Sequence, residues 1–134
     1  IAFHTHFTAS NDLIRCTPNQ IKQACIAMIV NASEAMPSNS NGEIILHTFN
    51  QDKETVCLSI TDNGKGIDKD NIPHIFEPFY STKHEASGIG LGLAIVHGII
   101  SSHKAKIEVT SEPGVGTSFH ITFPLTDQNS LKNA

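Results

Sequence analysis

The sequence predicts an α+β fold: a two-layer α/β sandwich whose mixed, mainly antiparallel sheet is covered on one face by three helices. Three observations predict it. Residues 43–49 and 55–61 read as two strands joined by a tight connection, and 107–111 and 117–123 as cleanly alternating segments around a turn, the pattern of hairpins. Segments near 17–36 and 91–103 instead carry apolar residues at helical spacing. The resulting order, β-β-α-β-β-α-loop-α-β-β, puts hairpins at the flanks of the sheet and lets the helices stack on one face.

Each element has its own grounds. Residues 1–7 alternate (Phe3, Thr5 and Phe7 against His4 and His6), and 12–16 is read as a second short strand after a Ser10-Asn11-Asp12 turn. In "TPNQIKQACIAMIVNASEAMP", Thr17 and Gln20 match a T-x-x-Q capping box and Pro18 suits the first helical position. Ile21, Ala24, Cys25, Met28, Ala32 and Ala35 form one apolar face, Asn31 lies on its flank, and Pro37 helps end the helix. Glu43–Phe49 and Thr55–Thr61 are strands linked through Asn50–Glu54. Residues 68–76 suggest a short helix broken by Pro73, and residues 77–90 a loop rich in Ser, Thr, Lys, His and Gly. Residues 91–103 are apolar nearly all round, as in a helix packed on more than one side. The last hairpin turns at Glu112-Pro113-Gly114-Val115-Gly116, with Phe119, Ile121 and Phe123 inward. One domain is expected over 1–125, followed by a polar, disordered tail at 126–134.

Bulk properties narrow the function. A chain of 134 residues can bury roughly two thirds of its unfolded surface. With 39% hydrophobic and 16% charged residues it has the composition of a globular domain. A net charge of −4 with scattered Lys and Arg argues against a nucleic-acid partner. No apolar run is long enough for a bilayer, and nothing resembles a signal peptide. Cys16, Cys25 and Cys57 lack CxxC spacing and are read as reduced thiols, and the eight histidines are too dispersed to suggest a metal set. Ile1 already stands inside an alternating pattern, so the chain is expected to be a piece of something longer.

The chemistry gathers in a few stretches. Val56, Leu58 and Ile60 fall on one face of a strand, and the next member of that series is Asp62. A buried carboxylate costs several kcal/mol unless donors satisfy it. Asp62 can cap the "NGKG" turn, or it can point into a pocket to accept from an amino group. "SGIGLGLAIVHGII" places Gly88, Gly90 and Gly92 ahead of a helix whose first N–H groups could hold an anion. Its G-x-G-x-G spacing is neither a dinucleotide fingerprint nor a P-loop. "GVGT" by itself is ordinary turn chemistry.

Taken in order, "NASEA", "DNGKGI", "IFEPFYSTK", "GIGLGLA" and "GVGT" resemble the N box, first glycine box, F box, second glycine box and third glycine box of the ATP-binding catalytic domain of two-component sensor histidine kinases. That domain lies within the GHKL superfamily shared with DNA gyrase and the heat-shock chaperone ATPases, and the resemblance covers essentially the whole chain. It implies that Asp62 accepts from the adenine amine with Thr117 in support, that Gly64 and Gly66 permit the close turn, and that Ile67 lies against the base. It further implies that Asn31 offers an oxygen to Mg²⁺, and that Gly88, Gly90, Leu91, Gly92 and Leu93 cradle the phosphates. Residues 77–90 would form the ATP lid, hinged at Phe76 and Phe79, with Lys83 as a phosphate contact. ATP and Mg²⁺ are the implied cofactors.

The implied function is to bind Mg-ATP and present its γ-phosphate to a histidine on a separate dimerisation and phosphoacceptor domain, in cis or in trans. No H box occurs in this chain, so no catalytic residue is expected within it. A response regulator would be the downstream partner. The isolated domain is expected to be a cytoplasmic monomer, and the full-length protein a homodimer with a possible membrane anchor. Two departures from the family pattern keep alternatives open. Ala27 stands where many family members place an Asn four positions before Asn31, and Glu34 where many place a basic residue. The alternatives are a GHKL-type ATP hydrolase and a non-catalytic nucleotide-binding regulatory module.

Overall fold

The computed structural model describes residues 1–36, 41–78 and 92–126. In chain order they form β1 (Ala2–Phe7), α1 (Pro18–Glu34), β2 (Glu43–Phe49), β3 (Thr55–Asp62), a single 3₁₀ turn (Ile72–His74), α2 (Gly92–Ser102), β4 (Lys106–Glu112) and β5 (Gly116–Pro124). The sheet runs β1-β2-β3-β5-β4. The β2–β3, β3–β5 and β4–β5 pairs are antiparallel and β1–β2 is parallel, so the expected mixed, mainly antiparallel sheet is present.

Parity assigns the faces. The cross-strand row Leu46–Ile60–Phe119–Val109, with Ile44, Val56, Ile121 and Phe123 in neighbouring rows, meets Ala24, Met28 and Ala32 of α1 and Val96, Ile99 and Ile100 of α2. Met28, Ile44 and Val96 are wholly buried. α1 therefore uses the i, i+4, i+8 stripe that its spacing predicts. Its sequence face is only partly realised, since Ile21, Cys25 and Ala35 stay half-buried. Burying this stripe closes a core within the chain itself.

Four local expectations are corrected. Residues 12–16 are not a strand. They belong to a strap pinned by Asn50, whose Oδ1 accepts the Ser10 and Asn11 amides at 2.9 and 3.2 Å and whose Nδ2 donates to Asn11 O at 2.7 Å. With those bonds made, the segment joins no sheet edge. Residues 68–76 supply only the 3₁₀ turn, so among the described residues two α-helices and that turn stand where three helices are expected. The T-x-x-Q capping box does not form at Thr17, because the Thr17 amide donates instead to His103 Nε2 at 3.0 Å. Finally, α2 buries one face against α1 and β4 and leaves Ile95 exposed. Pro37 and the tail beyond Thr126 lie outside the described residues.

The three cysteines are free, and burial pushes the Cys25 and Cys57 thiols up. Among the described residues, no helix is long and apolar enough to cross a membrane.

Candidate functional site

The core-facing row of β3 does end in a carboxylate. Asp62 is paired with Ile44 on one side and Thr117 on the other, and is only 5% exposed. Its Oδ1 accepts the Gly64 amide at 2.8 Å, so the turn-capping use is realised. Burial raises its carboxyl above the ordinary value of 3.8, while hydrogen bonds from the Gly64 and Thr117 backbone pull the other way. A carboxylate has about four acceptor positions, so capping leaves capacity for a further donor.

The turn behind it is held close on two sides. Lys65 N–H donates to Ala35 O at 3.0 Å, and a Cβ on Gly64 would stand 2.7 Å from that carbonyl. Gly66 has φ 76°, and a side chain there would strike the Glu112 carbonyl. The Gly114 amide donates to Lys65 O at 2.8 Å, and Gly116 backs directly onto the Asp62 carbonyl. The glycines of "GVGT" thus do more than make a hairpin. They let the β4–β5 connection press against the Asp62 turn.

Ser111 completes this end, and sequence reasoning missed it. Its Oγ accepts the Ile67 amide at 2.8 Å, donates to Gly116 O at 3.0 Å and lies 2.8 Å from Thr117 Oγ1. A hydroxyl has one proton to give, so Thr117 donates to Ser111 and keeps its lone pairs for another donor. The signal was available: Ile107, Val109 and Ser111 form a parity row like the one that singled out Asp62.

The helices bring the other residues to the same end. Ala35, which meets Gly64 and Lys65, donates its amide to Asn31 O at 3.2 Å, and Asn31 lies one turn earlier on the same face. The Thr17–His103 bond joins the start of α1 to the end of α2, so the packed helices run antiparallel. At 1.5 Å per residue, the eleven residues of α2 carry Gly92 back toward the Met28–Asn31 turn. Leu93 packs against the core, whereas a Cβ on Gly92 would meet no atom within 4 Å. Phe76 wedges between His97 of α2 and Phe119 of β5, with ring centroids 5.3 and 6.3 Å apart. His97 was not expected in that role. Phe79, Lys83, Gly88, Gly90 and Leu91 lie outside the described residues.

One end of the molecule thus collects a buried carboxylate, a glycine turn, a helical amide and a helix start. Residues 16–127 match the family described as histidine kinase-, DNA gyrase B- and HSP90-like ATPases. The chain belongs to that family. It is 43% identical over 112 residues to sporulation kinase E of Bacillus subtilis (strain 168), covering 84% of this chain and 15% of that protein. Against the sensor histidine kinase ZraS of Escherichia coli (strain K12), identity is 36% over 121 residues, covering 89% of this chain and 25% of ZraS. Among solved structures it resembles the nucleotide-free catalytic domain of histidine kinase ThkA, with TM-score 0.77, 29% identity, and 92% of this chain and 78% of that one covered. It also resembles full-length ShkA in complex with AMPPNP, with TM-score 0.74, 26% identity, and 93% and 26% covered. The chain spans at most a quarter of the length of these two curated relatives.

Proposed function

We propose that this chain is the ATP-binding domain of a sensor histidine kinase, holding Mg-ATP so that the γ-phosphate faces a histidine on another domain. The observation that carries the reading is the meeting of the Asp62 turn, Asn31 and the start of α2 at one end of antiparallel helices. A buried acceptor suits the adenine amine, and Thr117 and Ser111 set the hydrogen-bond polarity beside it. Gly64 and Gly66 let the base approach the backbone, and Ile67 offers an apolar surface. The first amides of α2, at Gly92 and Leu93, suit a polyphosphate. Lys83, Gly88, Gly90 and Leu91 are proposed to complete the phosphate contacts from the lid.

The residues present fit Mg²⁺ of one kind. Among the described residues no three His, Cys, Asp or Glu side chains form a metal cluster, while Asn31 offers one amide oxygen. That donor set suits a cation whose shell is completed by phosphates and water. Bound there, Mg²⁺ would neutralise phosphate charge. The protein's own share of phosphoryl transfer is positioning. The longer protein is proposed to act as a homodimer that passes the phosphoryl group to a response regulator.

The hydrolase alternative needs a carboxylate one turn before Asn31 to activate water. Ala27 offers only a methyl group, and this disfavours it. Titration calorimetry tests the reading: the chain should bind ATP more tightly with Mg²⁺ than without, and Asn31→Ala should abolish that difference. Equal affinity in both conditions would favour the regulatory module, and steady phosphate release the hydrolase.

A further inference from the structure

The sheet ends at β1, whose outer edge has no partner among the described residues. Edge strands of monomers are commonly blunted by Lys, Pro or a bulge. β1 carries none of these and runs in unbroken register with β2 from Ala2 to Phe7. Every residue in it is exposed, and Phe3 and Phe7 remain 53% and 66% exposed on the helix side. The backbone has a definite polarity. The Ala2 amide donates to Gly42 O at 2.8 Å and the Thr8 amide to Thr48 O at 2.9 Å, so the even-numbered groups face β2. Alternation then turns the N–H and C=O of Phe3, Thr5 and Phe7 to the open edge.

We propose that this edge is the seam of a homodimer, in which a second copy of this chain adds its β1 antiparallel, Thr5 opposite Thr5 of the second copy. Phe3-His4-Thr5-His6-Phe7 reads the same in both directions, as a two-fold axis at Thr5 requires of a self-complementary strand. In that register Phe3 meets Phe7 on the helix side and His4 meets His6 on the open side. The outward-turned groups of Phe3, Thr5 and Phe7 also fall opposite one another, so each of these pairs exchanges both of its backbone bonds. A register shifted by one residue loses this match and sets Phe against His. Charge agrees as well: residues 2–11 contain no Asp, Glu, Lys or Arg, so a self-pairing brings no like charges together. An unrelated extended peptide would need the open edge but not the palindrome. One strand a side falls short of the roughly 1,200 Å² that stable interfaces bury, so the dimer is weak and concentration-dependent. This departs from the monomer expected for the isolated domain.

Sedimentation velocity on the chain from micromolar to millimolar concentration tests the seam. The expected result is a dimer that grows with concentration, weakened at least about tenfold in Thr5→Pro, which removes an N–H that the β1–β2 ladder does not use. Val115→Lys, at an exposed apolar residue beside the β4–β5 turn, should leave the dimer unchanged. Hydrogen exchange on the unmutated chain guards against a folding defect in the proline variant: protection of the Phe3, Thr5 and Phe7 amides should rise with concentration, while that of Ala2 and Thr8 stays level. A monomer at millimolar concentration, a dimer indifferent to Thr5→Pro, or Phe3, Thr5 and Phe7 amides that exchange equally fast at both concentrations would each overturn the proposal.

Discussion

Asp62 accepts the Gly64 amide and is buried beside Thr117, with its proton affinity raised by that burial. A raised carboxyl value means that its contribution to stability is fully present below the unfolded value near 3.8 and is lost as pH rises through the higher folded value. Ionising Asp62 therefore weighs against the empty domain. Asp62→Asn should leave the domain at least as stable at pH 7 and remove part of the stability lost on raising pH from the acid range, while ATP binding falls by ten-fold or more. Paired urea melts and calorimetry check this; unchanged ATP affinity would reduce Asp62 to a turn cap. Ser111→Ala should behave differently, because it strands the Ile67 amide. We expect it to cost about 1–2 kcal/mol in urea unfolding and to weaken nucleotide binding as well. Asp62 was legible in the sequence because an acid interrupts an apolar parity row. Ser111 continues such a row with a residue that draws less notice, although the same counting finds it.

α2 ends without a glycine. Lys104 adopts φ 58° and Ala105 N–H closes back onto Ile100 O at 3.1 Å, a left-handed helix terminus built on a residue that resists it. Lys104→Gly should therefore stabilise the domain by up to about 1 kcal/mol, read as a higher thermal midpoint, with ATP affinity unchanged. Element types were largely readable from periodicity, because the helices and most strands turn one face to the core, although β3 also buries Cys57 and Ser59 on its other face. Two of the misreadings share one cause, that partners distant in sequence decide the outcome. Residues 12–16 read as a strand after a turn but join no sheet edge, since Asn50 and the Thr126–Leu13 bond hold that strap instead. Thr17 and Gln20 satisfy a capping pattern that His103 pre-empts from the far end of the other helix.

In the whole molecule, sheet order and helix direction bring the nucleotide elements together. β3 sits between β2 and β5, so the Asp62 turn and the Thr117 end of β5 are neighbours. The antiparallel α1 and α2 return Gly92 toward Asn31. None of that convergence is written in a single stretch; the motifs imply it only through their family resemblance, and the helix direction rests on one contact between residues far apart in sequence. The most direct test is an amide NMR titration of the chain with Mg-ATP. The account predicts that Asn31, Asp62–Ile67, Ser111, Thr117, Gly92 and Leu93 shift together along one saturation curve, while Ala2–Phe7 stay still. Shifts confined to either the Asp62 turn or the start of α2, or separate curves for the two, would contradict it.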